Sequence, residues 1–209
     1  GPPPITITIG TRYELGLSWL MPMLPALKRR FPNITVNYYF GSGPDLEARI
    51  KNMDIQCAVS SRVFVDPIFE VTRLTEESYV FVASPSLLQR LPFQVPEDAQ
   101  HHCLIDAHQE RPLFRYFRDA ENAPNKLSFG HTRIMGTTAA IRMLVLGGEG
   151  VAVLPYYLMK QDIDSGVCTQ LFPDVSLNRD YFRLMYRRDD PNIELYQSLA
   201  ACIRSQPLT

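Results

Sequence analysis

Two short segments place a glycine and a threonine where an apolar strand passes into a helix. The first is Gly10-Thr11 and the second is Gly136-Thr137-Thr138. The first backbone N–H groups of a helix have no partner inside it, and the helix dipole adds positive charge there. Hydroxyl and amide donors at such a junction suit a carboxylate or another anion. The pattern predicts two ligand-binding junctions; the alternative is that these threonines only cap helices.

Other residues that support catalysis or metal binding in proteins lack the required spacing here. His101, His102, Cys103 and His108 match no usual set of metal ligands, because adjacent side chains on a strand point to opposite faces. No G-x-S-x-G motif occurs. The glycine-rich residues 147–150 follow a helix, whereas a phosphate-binding loop opens one. We therefore expect no catalytic residue, no metal and no cofactor.

The second junction belongs to the most regular part of the sequence, residues 133–155. A short strand, the Gly-Thr-Thr turn, a helix, a glycine-rich turn and an apolar strand follow one another there. Ile141, Leu144 and Val145 recur at helical spacing and give the helix one apolar face. The run Val151–Leu154 is typical of a strand buried on both faces of a parallel sheet. These features predict a right-handed β-α-β unit.

Strands and helices alternate along the rest of the chain, which predicts an α/β fold with mostly parallel sheets. Ile5–Ile9 forms a strand inside the first sheet, and the helix that follows it to about Arg30 should kink or restart at Pro22. Further strands are predicted at Lys126–Phe129 and at Val167–Leu171.

The composition bounds the class of protein. The chain has 209 residues, of which 45% are hydrophobic and 21% charged, as in an ordinary globular protein. A formal net charge of -1 argues against a chain that is itself a nucleic-acid-binding surface. No apolar run is long enough for a membrane span and no signal peptide opens the sequence. With Cys57, Cys103, Cys168 and Cys202 read as reduced thiols, we expect a cytoplasmic protein without a membrane partner.

The order of these elements resembles the effector-binding domain of LysR-type transcriptional regulators. The resemblance extends from Ile5 to about Ser205. It departs from the family pattern at Lys51-Asn52-Met53, where the family has Gly-Glu-Leu. The landmarks that carry it are Leu24-Pro25, Phe31-Pro32, the strand 36–41, Leu46 with Ile50, the strand 54–59 and the unit 133–155.

The resemblance implies two Rossmann-like lobes of the periplasmic-binding-protein kind (type 2) with a cleft between them. Lobe I would comprise residues 5–78 plus 179–209, and lobe II residues 79–178. A small effector, for which the junctions favour an anionic group, would bind in the cleft and change the geometry of a homodimer or homotetramer. DNA would be bound only through an N-terminal winged helix-turn-helix outside this sequence.

Residues from both lobes are expected to contact the effector, with Arg12 or Arg62 supplying charge-assisted bonds. The expected effector-binding residues are Thr11, Arg12, Tyr13, Ser42, Ser60, Arg62, His108, Gly136, Thr137 and Thr138. The residues expected at the subunit interface are Trp19, Leu20, Met23 and Leu27.

Two other functions remain open at this point. A periplasmic solute-binding protein would share the architecture, although the missing signal peptide and unpaired cysteines argue against it. A catalytic relative of the same fold would need a titratable pair in the cleft. The sequence offers only Glu14, Asp106 and His108 for that role.

Overall fold

The structure is a computed structural model that describes residues 1–208, and it divides the chain into two compact units. The first unit comprises residues 1–76 together with the chain from Asp180 onwards, and the second comprises residues 77–179. Both units combine helices and sheets, which confirms the α/β class. Among the described residues no helix has the length and hydropathy that a bilayer crossing would need.

Ten strands and eight α-helices make up the described chain. The strands are β1 (Ile5–Thr11), β2 (Ile34–Phe40), β3 (Cys57–Ser60), β4 (Phe69–Glu77), β5 (Tyr79–Ala83), β6 (Cys103–Asp106), β7 (His131–Ile134), β8 (Ala152–Pro155), β9 (Thr169–Gln170) and β10 (Asp180–Arg187). The helices are α1 (Tyr13–Leu15), α2 (Leu24–Arg30), α3 (Gly43–Lys51), α4 (Pro85–Arg90), α5 (Arg115–Arg118), α6 (Thr138–Leu146), α7 (Tyr156–Asp164) and α8 (Ile193–Arg204).

The first unit is built on one five-stranded sheet in the order β2-β1-β3-β10-β4. Strand β1 pairs in parallel with β2 and β3, and β10 runs antiparallel to β3. The predicted interior position of β1 is therefore confirmed. Ile7 and Ile9 of this strand are buried, as the period-two alternation requires. The carboxyl ends of three parallel strands consequently meet at one edge of the sheet.

The segment after β1 consists of two helical pieces. Helix α1 continues into a π-helical segment, Gly16–Leu20, in which the N–H of Met21 bonds to Gly16 O at 2.8 Å. A turn at residues 21–23 follows, and α2 then begins at Leu24. Since Pro22 has no N–H to continue a helical ladder, the predicted restart is confirmed.

The second unit contains a three-stranded sheet, β8-β5-β9, and a parallel pair, β6-β7. A parallel bridge between Leu104 and Val151 connects β6 to the start of β8. The predicted β-α-β unit therefore exists, but its two strands are not neighbours, because β6 lies between them. Strand β8 also pairs antiparallel with β5. An apolar run shows that a strand is buried but not which strands flank it, so the expectation of a purely parallel environment was wrong.

Two predicted strands differ in the structure, one in position and one in length. Residues 126–129 are irregular, and the strand begins only at His131. Phe129 packs instead against Phe114, with ring centroids 5.2 Å apart. The predicted strand 167–171 is reduced to Thr169–Gln170. Both segments enclose the core of this unit, an aromatic cluster around the fully buried Phe81.

Candidate functional site

The first Gly-Thr junction lies at the edge where β1, β2 and β3 end. Thr11 is the last residue of β1, and its side chain is fully buried. The hydroxyl donates to Val59 O at 3.0 Å, and the carbonyl of Thr11 accepts from the N–H of Gly41. The structure therefore corrects the expected ligand role of Thr11, because its hydroxyl joins two strands and is not exposed.

The exposed side chains at this junction belong to the next two residues. Arg12 occupies the position before α1, and its side chain makes no capping hydrogen bond there. Tyr13 is 58% exposed and meets Phe40 edge to face, with ring centroids 5.9 Å apart. At this edge Arg12 and Tyr13 thus offer a guanidinium group and a phenol for binding.

Ser42, Ser60 and Arg62 lie near the start of α3. Ser42 caps this helix by accepting from the N–H of Asp45 at 3.2 Å. Ser60 is buried and accepts from the N–H of Arg62 at 3.1 Å. Arg62 is exposed and pairs with Glu47 at 3.4 Å. The structure thus assigns both serine oxygens to backbone bonds and leaves Arg62 as the exposed cation of this group.

An acidic side chain already occupies the N-terminus of α3. Asp45 lies in its first turn, and a hydrogen bond from the Tyr39 hydroxyl holds the pKa of this carboxyl below its usual range. Arg49 adds a second bond at 3.1 Å. A carboxylate that neutralises the helix dipole disfavours a second anion at the same place.

The second Gly-Thr junction differs from the first in the exposure of its threonine and in the charge at the N-terminus of the nearby helix. Thr137 is exposed, has extended backbone angles (φ -132°, ψ 148°) and accepts from the N–H of Ala140 at 3.1 Å. It is therefore the N-cap of the nine-residue helix α6, so the capping role considered for these threonines is confirmed for Thr137. No acidic residue lies in the first turn of α6. Gly136 is exposed, and a Cβ placed on it would have no heavy atom within 4 Å.

An ion pair fixes α6 against α7. The guanidinium of Arg142 contacts both oxygens of Asp162, with Nε–Oδ2 at 2.8 Å and Nη2–Oδ1 at 3.0 Å. This bond raises the pKa of Arg142. Such bidentate geometry restricts rotation as well as distance. The pair thus holds the helix whose N-terminus forms the second junction.

His108 lies on the loop after β6, at the same sheet edge as this junction. Strands β6 and β7 are parallel, so the loop 107–114 and residues 135–138 both follow carboxyl ends. The N–H of Met135 bonds to Asp106 O at 2.9 Å. His108 itself is exposed. The structure therefore groups His108, Gly136, Thr137 and Thr138 at one edge of the second unit.

Asp106 shapes this edge, although the sequence suggested it only as a weak catalytic candidate. Its carboxylate is fully buried and accepts the N–H groups of Ala107, Leu113 and Phe114 at 2.7, 3.2 and 2.9 Å. Burial raises the pKa of Asp106, and the three backbone bonds and Arg111 oppose that shift. The only signal in the sequence was an acidic residue at the end of an apolar strand.

The residues expected at a subunit interface lie in the core of the first unit. Trp19, Leu20, Met23 and Leu27 are all buried, and Trp19 Nε1 donates to Gln206 O at 3.1 Å. Buried side chains cannot contact a second chain, so the assignment of these four residues is corrected. In the same segment the large apolar side chains that face solvent are Leu17 (47% exposed) and Met21 (42% exposed).

Within residues 1–208 no group of three or more histidine, cysteine, aspartate or glutamate side chains is arranged to hold a metal ion. His102 is buried, stacks on Phe93 at 4.6 Å and contacts Pro92 O through Nε2. The four cysteines are free, and three of them are buried. Burial raises the pKa of the Cys168 thiol to about 11.

Comparisons with known proteins give a consistent result. A family model described as "LysR substrate binding domain" matches residues 2–207. The "Glycine cleavage system transcriptional activator homolog" of Haemophilus influenzae is 28% identical over 80% of this chain and 54% of its own length. The "Glycine cleavage system transcriptional activator" of Escherichia coli is 24% identical over 86% of this chain and 57% of its own. The chain thus spans about half the length of these relatives.

A solved structure shares the fold. The regulatory domain of CrgA, a LysR-type transcriptional regulator from Neisseria meningitidis, superposes with a TM-score of 0.75 at 20% identity. The superposition covers 95% of this chain and 98% of that one. It confirms the expected type of architecture.

Proposed function

The chain belongs to the LysR substrate binding domain family, and from this premise we propose how it senses its effector. As a member it is an effector-binding domain of a LysR-type regulator, which favours this function over that of a periplasmic solute-binding protein. The family consists of transcriptional regulators and is not a class of enzymes. That this chain has no catalytic activity is part of the proposal.

The second Gly-Thr junction carries the proposal. An exposed cap residue, an open glycine and a helix without an acidic residue in its first turn occur together at Gly136-Thr137-Thr138. This combination supports a small effector with a carboxylate or another anionic acceptor, which the N–H groups and dipole of α6 would attract. His108, on the loop at the same edge, is a further proposed contact.

In the first unit we propose that Arg12, Tyr13 and Arg62 contact the effector, because their side chains are exposed at the sheet edge or beside it. Thr11, Ser42 and Ser60 support this region through the bonds described above. The cleft between two lobes stays a prediction.

The regulator as a whole is proposed from its relatives, of which this chain matches only 54% and 57% of the length. DNA binding would belong to an N-terminal domain outside this sequence, in a homodimer or homotetramer located in the cytoplasm. An effector that binds one conformation more tightly than another would shift the population of oligomer geometries. The names of both relatives make glycine the first effector to test.

The experiment compares small carboxylates with uncharged counterparts. Glycine, acetate and succinate are titrated calorimetrically, and thermal melts are recorded in parallel, beside glycinamide and acetamide. A ligand present at 100 times its Kd should stabilise the chain by about 2.7 kcal/mol. We expect at least one carboxylate to stabilise the protein and its amide to fail.

The matched control concerns the side chain that receives the effector. Thr137→Val or Thr138→Val should weaken binding of that carboxylate, whereas Thr169→Val, at another exposed threonine of the same unit, should not. Equal stabilisation by acid and amide would contradict the anionic effector.

A further inference from the structure

Both connections between the two units are attached to one residue of the second unit, Tyr116. The first connection enters this unit at residues 77–79, where the Tyr79 ring stacks on the Tyr116 ring with centroids 3.7 Å apart and planes inclined by 11°. The second connection leaves it at residues 178–179, where the N–H of Asn178 donates to Tyr116 O at 2.8 Å. The position of Tyr116 therefore bears on both connections at once.

Each attachment is supported by a further bond. Tyr79 is buried, and its hydroxyl donates to the carboxylate of the buried Glu77. Burial raises the pKa of Tyr79, so the hydroxyl keeps its proton and remains a donor. On the other side Asn178 Nδ2 donates to Asp119 O at 3.1 Å, just after α5. The ring stack thus holds the first connection to α5, with Tyr79 itself fixed by Glu77, and two bonds hold the second connection to Tyr116 and Asp119.

The loop that precedes α5 fixes the position of Tyr116. The three N–H groups that the buried Asp106 carboxylate accepts lie at the beginning and the end of this loop, and Phe114 directly precedes α5. Arg111 has a left-handed backbone (φ 54°), and its guanidinium donates to Thr132 Oγ1 at 2.6 Å. A buried carboxylate whose hydrogen bonds are satisfied in this way makes the loop that surrounds it more rigid.

The same residue also contacts the second Gly-Thr junction, since Asp106 O accepts the N–H of Met135. We propose that Asp106 and Tyr116 form a link through which an effector at residues 135–138 alters both connections between the units. A shift of the junction displaces Asp106, and the loop transmits this displacement to α5. The contacts of Tyr116 with Tyr79 and Asn178 then change. The proposal rests on the effector site proposed above and adds the route by which that site acts.

Amide hydrogen exchange of the chain without ligand tests the link. Asp106→Asn keeps the size of the side chain but replaces one acceptor oxygen with an NH2 group, which cannot accept from a backbone N–H. We expect exchange to rise by about three- to tenfold at residues 107–114 and also at residues 77–79 and 176–179. Strand β8, to which the Asp106 carboxylate makes no hydrogen bond in the described residues, should keep its protection.

Asp98→Asn is the matched control, because Asp98 also accepts two backbone N–H groups, from Gln94 and Val95. Its effect should remain within residues 94–98. Tyr116→Leu removes the stacked ring but keeps the backbone carbonyl that accepts from Asn178. It should raise exchange at residues 77–79, while the loop 107–112 and residues 176–179 stay protected.

Three results would overturn the link. The first is an effect of Asp106→Asn that is confined to residues 107–114, and the second is a uniform rise across the second unit. The third is unchanged exchange at residues 77–79 in Tyr116→Leu, and this variant decides the matter if Asp106→Asn does not fold. Because no ligand is present, failure here leaves the effector site to be judged by the titrations.

Discussion

The two Gly-Thr junctions look alike in sequence, but their threonine hydroxyls form opposite hydrogen bonds. Thr11 donates to a carbonyl of the neighbouring strand and is fully buried. Thr137 accepts from the first turn of a helix and is exposed. One threonine therefore belongs to the framework of a sheet, and the other caps a helix whose N-terminus faces solvent.

The difference arises from where each strand stops. Strand β1 extends through Thr11 because Thr11 pairs with Phe40 on one side and Val59 on the other. Strand β7 has one partner, β6, and ends at Ile134, three residues before the cap. A Gly-Thr pair thus places its threonine at an exposed helix N-terminus here only where the strand ends before it. The predictions below test this contrast, from the largest expected effect to the smallest.

The glycines of the two junctions should show the largest difference in the free energy of unfolding when they are replaced by alanine. A Cβ at Gly10 would lie 2.6 Å from both Ile55 Cδ1 and Leu46 Cδ2 in a closed core. Gly10→Ala should therefore lower the free energy of unfolding by about 1–3 kcal/mol through overpacking. Gly136→Ala, in open space, should change it by less than about 0.5 kcal/mol. Denaturant unfolding of both variants checks this, and equal costs would contradict the contrast.

The sequence was sufficient to predict the fold class, most elements and the cap at Thr137, because these depend on local periodicity and turn chemistry. It could not show that the Thr11 hydroxyl is used inside the sheet, since its partner Val59 is 48 residues away. It also missed the loop-closing role of Asp106, because the three N–H groups become donors only once the loop has folded around it.

Apolar helical spacing had a similar ambiguity. Trp19 and Leu27 lie on an apolar face, as predicted, but the pattern cannot distinguish a core from a subunit contact. The structure places both in the core of the first unit. The large apolar side chains left exposed in that segment, Leu17 and Met21, are four residues apart and so share helical spacing as well.

The threonines of the two junctions should show the next largest effect on the free energy of unfolding when they are replaced by valine. Thr11→Val leaves the carbonyl of Val59 without its hydroxyl partner, and we expect a loss of about 1–2 kcal/mol in the free energy of unfolding. Thr137→Val removes a helix cap and should cost about 1 kcal/mol. Chemical denaturation at neutral pH measures both values. A Thr11→Val protein as stable as the parent would show that the buried hydroxyl bond contributes nothing.

The smallest effect at neutral pH concerns the thiol packed near α6. The Cys168 pKa is raised from 9.0 to about 11 by burial first and by Asp162 second. The folded state thus holds this proton more tightly than the unfolded state does. The contribution of the protonated Cys168 thiol to the free energy of unfolding is fully present below about pH 9 and is lost as the pH rises towards 11.

Cys168→Ala should therefore flatten the fall of stability between pH 9 and 11 and leave its slope near pH 7 unchanged. Melting temperatures across this range check the prediction, with Cys202→Ala, at a partly exposed cysteine of the first unit, as the control. Parallel curves for parent and Cys168→Ala would contradict it.

The central claim is that the effector binds at the second junction and not through the hydroxyl of the first. Calorimetric titration of the stabilising carboxylate into Thr137→Val, Thr138→Val and Thr11→Val, under conditions where all three are folded, tests it directly. At least one of the first two variants should lose about tenfold in affinity, as expected for one hydrogen bond to a charged group. Thr11→Val should bind like the parent. Unchanged affinity in both second-junction variants, with weakened binding in Thr11→Val, would contradict the account.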